Sequence, residues 1–79
     1  MKHYYFSSEL DRAIAFCVDF DKKTSIELVI DHDILKVYKS NCTNPNEIAA
    51  SILKDGFIPI DEDKFTDIFK SIFDSICCQ

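Results

Sequence analysis

Residues 31 to 33, "DHD", put two carboxylates and an imidazole side by side, the donor types that hold zinc or calcium. Neighbours in a tight turn point apart, and no further donors stand at ligand spacing, so the triplet reads as a turn between two extended runs. "DEDKFTD" at 61 to 67 opens like a calcium loop. Phe65 and Thr66 then stand where a ligand and the turn glycine are required, and Ile72 where the bidentate Glu should be. Its acids fit the positive end of a helix instead, a role worth a few tenths to ~1 kcal/mol. No metal or other cofactor is expected.

The thiols divide by setting. Cys17 falls in an apolar run and reads as an inert core residue, whereas Cys42, in the loop "SNCTNPN", is the one cysteine placed to react, although no histidine lies near it in sequence. Cys77 and Cys78 are adjacent, too close for zinc pairing and wrongly placed for prenylation. One glycine in the whole chain leaves no phosphate cradle, and no acid and base stand paired. The sequence is therefore read as non-enzymatic.

Positioning falls to elements recognisable by period. "RAIAFCVDF", residues 12 to 20, is apolar on both sides if extended. Wound at about 100° per residue, the run from Leu10 gathers Ala13, Ile14, Phe16, Cys17, Val18 and Phe20 on one arc, with Asp11, Arg12, Ala15 and Asp19 opposite. Ser8 and Asp11 resemble a capping box, so the expectation is a helix from Glu9 to Asp21. "HYYF" before it suits a strand, with Tyr4 and Phe6 on one face and His3 and Tyr5 on the other. "SIELVID" and "ILKVYK" across "DHD" make a hairpin.

Asn44, Pro45 and Glu47 mark a second helix that turns Ile48, Ile52 and Leu53 inward and stops at Gly56. "FIPI" is extended, and Pro59 confines it to a sheet edge. The last helix starts at Asp61 and carries Phe65, Ile68, Phe69, Ile72, Phe73 and Ile76 at steps of three and four. The 79 residues then form a single α+β domain, 1–79, of ferredoxin-like βαββαβ order with an extra C-terminal helix. With 57–60 as a linker, the alternative is βαββαα over a three-stranded antiparallel sheet.

Nine basic against fourteen acidic side chains, a net charge of −5, oppose a phosphate backbone as ligand. Tyr5 and Tyr38 could stack bases from a sheet face, but Glu27 and Asp31 beside Lys36 argue against that. "MKHYYFSSEL" lacks the apolar core of a signal sequence and no stretch is long enough for a membrane, so a cytoplasmic setting with free thiols is expected. Two functions follow. The first is a small acidic protein-binding module, a regulator or inhibitor of the immunity or mobile-element kind. It would use the acids Asp61, Glu62, Asp63, Asp67 and Asp74 toward a basic partner surface, and Tyr5, Val29 and Tyr38 on an open sheet face. The second is a homodimeric ferredoxin-like sensor of a small ligand.

Overall fold

The computed structural model describes residues 1–9, 12–32 and 34–77, and at 9 and 72–77 the backbone alone. Seven elements follow in order: β1 (Lys2–Glu9), β2 (Arg12–Asp19), β3 (Thr24–Asp31), β4 (Ile34–Asn41), α1 (Pro45–Lys54), β5 (Ile58–Ile60) and α2 (Glu62–Cys77). The five strands form one antiparallel sheet in the order β4-β3-β2-β1-β5. The first four are a meander of successive hairpins. α1 then carries the chain back across the sheet to β5 on the far edge, beside β1.

Neither expected topology stands. The ferredoxin-like order fails, and so does the three-stranded alternative, because the segment read as a helix from Glu9 to Asp21 is the second arm of a hairpin. Ser8 belongs to β1 and pairs with Ala13 rather than capping a helix; Leu10 and Asp11 lie outside the described residues. The physical reason is burial on both sides. β2 is the central strand, and side chains alternate along it. Ile14, Phe16 and Val18 face α1, whereas Ala13, Ala15 and Cys17 face the side that carries α2. A strand covered on both faces loses its polar alternation, and a continuous apolar run fits a helical arc equally well.

The two helices therefore take opposite faces. Tyr5, Val18, Ala49 and Ile52 form the buried cluster under α1, with Phe16, Phe20 and Phe57 packed against it and the Phe16 and Phe57 rings 5.2 Å apart. On the other face, Phe65 of α2 lies 4.8 Å from the Tyr4 ring. The terminal helix thus meets its own sheet, on the side opposite the face that carries Tyr5, Val29 and Tyr38.

The remaining expectations hold in kind. The β3–β4 hairpin forms, with His32 at φ 51° in the turn. Asn44 caps α1 by accepting the Glu47 N–H, Pro45 opens the first turn, and Gly56, at φ 94°, follows its end. The inward stripe of α1 differs from expectation: Pro45, Ala49 and Ile52 are buried, whereas Ile48 and Leu53 are exposed. Small Ala49 lets the helix approach Tyr5 and Val18 closely, which turns its larger neighbours outward. β5 is an edge strand in which Pro59 pairs opposite Tyr5. Asp61 accepts the Lys64 N–H at 2.7 Å and so caps α2.

Candidate functional site

α1 covers the β1–β2 half of its face, and the β3–β4 half stays open. Sheet alternation places Glu27, Val29 and Asp31 of β3 there beside Ile34, Lys36 and Tyr38 of β4. Val29 is half-buried, while Ile34 and Tyr38 are 59% and 50% exposed. Tyr5 was expected on this open surface with Val29 and Tyr38. It is instead buried beneath α1 at 3% exposure, and neither a partner nor a base can stack on it. The structure thus brings Val29 and Tyr38 together and removes Tyr5.

The acids of the last helix are arranged otherwise. Asp61, Glu62, Asp63 and Asp67 are all exposed, with Asp61 engaged as the cap. Asp63, Asp67, Lys70 and Asp74 recur along one stripe of α2 by helical spacing, although the side chain of Asp74 lies outside the described residues. Glu62 differs from the others because it borders a groove between α2 and the sheet.

Sequence reasoning missed that groove. Its floor is laid by Tyr4, Cys17, Ile26, Leu28 and Val37 from four successive strands, and Phe65 and Phe69 of α2 wall it, leaving an open groove of ≈ 420 Å³. Lys2, Lys39 and Glu62 stand at its margin. The signal was present as the alternation Ile26, Leu28, Ile30 in β3, but with β2 read as a helix those residues had no second strand beside them.

Burial pushes the Cys17 thiol up from its ordinary pKa, and Asp19 and Glu62 add to the shift while Lys2 and the Tyr4 hydroxyl oppose it. Burial also raises Tyr4, with Cys17 the next cause. Both groups are neutral at pH 7, so the groove floor is apolar and the thiol a poor nucleophile. Cys42, expected to be the reactive cysteine, is 6% exposed in the β4–α1 connection, where its N–H donates to the Lys23 carbonyl at 2.8 Å. The side chain of Cys77 and all of Cys78 lie outside the described residues.

Asp31 and His32 hydrogen-bond to each other, and Asp33 lies outside the described residues. Among the described residues no three metal-ligating side chains converge, and no helix is long and apolar enough to cross a membrane. No protein-family model, curated protein or solved structure matches this chain, so its function has to be argued from the sheet edges, the open face and the groove.

Proposed function

We propose that this chain is a small acidic, non-enzymatic module of the cytoplasm that binds another protein and regulates or inhibits it, docking through β4 and the open sheet face beside it. The observation that carries the reading is the inequality of the two sheet edges. β5 is three residues long and contains Pro59, which withholds a backbone donor. β4 is eight residues long and every one but Leu35 is exposed, including Ile34, Val37 and Tyr38. The outward N–H and C=O groups of such an edge are a template for an extended segment of another chain.

Lys36 and Lys39 limit indiscriminate pairing of that edge and favour a segment with acids opposite them. Tyr38 and Ile34 supply the amphipathic and apolar contacts that anchor interfaces. The acids of α2 act at longer range by steering the module toward a partner of positive overall charge.

The test is a photo-crosslinking residue placed at position 36 or at position 58, each in wild-type background and with Ile34→Asp plus Tyr38→Asp. The same protein should be captured from 36 and not from 58, and the double substitution should abolish capture while the thermal melt stays within about 3 °C. Equal capture from both edges, or capture indifferent to the double substitution, rejects β4 as the contact.

A further inference from the structure

We infer that the groove between α2 and the sheet binds a small amphiphile with a flexible apolar body and an anionic head, of the medium-chain carboxylate class, with its head at Lys39. This goes beyond the protein contact proposed above, because such a ligand lies on the α2 face and needs none of the outward backbone groups of β4.

Size and lining admit the body. The ≈ 420 Å³ groove falls in the roughly 300–1,000 Å³ range of small-molecule sites, and its floor over Ile26, Leu28 and Val37 carries no charge. A second hollow of ≈ 440 Å³ lies beside it. Ile26 and Lys39 line both, and the second hollow adds Thr24, Ser25, Ser40 and Asn41. Of these, Thr24 and Asn41 share the α2 side of the sheet with Ile26 and Lys39, so the apolar groove ends at an ammonium group beside one hydroxyl and one amide.

Charge then chooses the head. At the opposite end of the groove Lys2 shares its surroundings with Asp61 and Glu62, which offset it. At the Lys39 end, no acid stands among the described residues that line the hollow. Lys39 is thus the one charged side chain among the described residues lining that hollow, at one end of an apolar groove. A carboxylate gains there from Lys39 and from hydroxyl and amide donors, a neutral alcohol gains only the latter, and an alkylammonium is repelled.

The full chain, labelled with ¹⁵N, is titrated with decanoate, decanol and decylammonium below their aggregation concentrations, following amide shifts and calorimetric affinity. Decanoate should shift the amides of Tyr4, Ile26, Leu28 and Lys39 and bind tightest of the three. Lys39→Gln should weaken decanoate about 2- to 5-fold and leave decanol unchanged. Val37→Asp, at a side chain 49% exposed and therefore tolerant of substitution, should reverse the order in favour of decylammonium. Decylammonium binding as tightly as decanoate overturns the proposal. So do shifts confined to the α1 face, association only with phosphatidylglycerol vesicles, or a self-associated chain in which the groove takes up no decanoate. Crosslinking from position 36 reads the β4 contact separately, so either result can fail without the other.

Discussion

Asp19 carries more of the local structure than its exposed-face reading in the sequence allowed. It ends β2 at 8% exposure, and its carboxylate accepts the N–H groups of Lys22 and Asp21, each at 3.0 Å, which closes the connection to β3. The Lys22 N–H is the main reason its pKa lies below the ordinary carboxylate value; burial opposes the shift, and the Asp21 N–H, the N-terminal ammonium and Lys2 reinforce it. A carboxyl with a depressed folded-state pKa stabilises fully above its unfolded value of about 3.9, and the contribution disappears as pH falls through the folded value. Asp19→Asn should therefore melt below wild type at pH 7, and the gap should narrow as pH falls below about 4. Thermal melts across that range check it, and a gap constant with pH would remove the charge from the account. The cue was legible: "DFDKKT" is an Asp-led turn between apolar runs, but it was absorbed into a helix end.

At the scale of elements, everything follows from β2. A helix from Glu9 to Asp21 would have set Ala15 on its polar side beside Arg12 and Asp19. In the sheet Ala15 is 2% exposed and pairs between Phe6 and Leu28. Ala15→Lys separates the two arrangements, since a solvent-facing helical position accepts lysine while the central strand must bury an unpaired ammonium. Its expected cost is about 3 kcal/mol or more by urea unfolding, enough to threaten a chain of this size. A loss under about 0.5 kcal/mol would contradict the strand. α1, β5 and α2 form where the sequence places them because each carries a local marker: the Asn44 cap and Gly56 for α1, Pro59 for the edge strand, the three-and-four spacing for α2. β2 has none within it, being apolar from Ala13 to Val18.

For the whole molecule, charge acts on encounter more than on the fold. With fourteen acids against nine bases, association with a positively charged partner should slow about tenfold or more as salt rises from ~20 to ~500 mM, because the screening length shrinks from tens of ångströms to a few. Stopped-flow mixing with the captured protein measures this, and a rate indifferent to salt would leave the acids of α2 as a solvated face. The amino-acid sequence by itself determined the charge, the β3–β4 hairpin, the cap and end of α1, the start of α2 and the edge position of Pro59, since each depends on interactions within a few residues. Only the tertiary structure decided that residues 12–19 are extended, that α1 and α2 lie on opposite faces, that Tyr5 is buried and that a groove opens over Ile26 and Leu28. Alternation in a sequence encodes burial on one side of a strand, and β2 is buried on both, so its conformation is set by the helices that cover it.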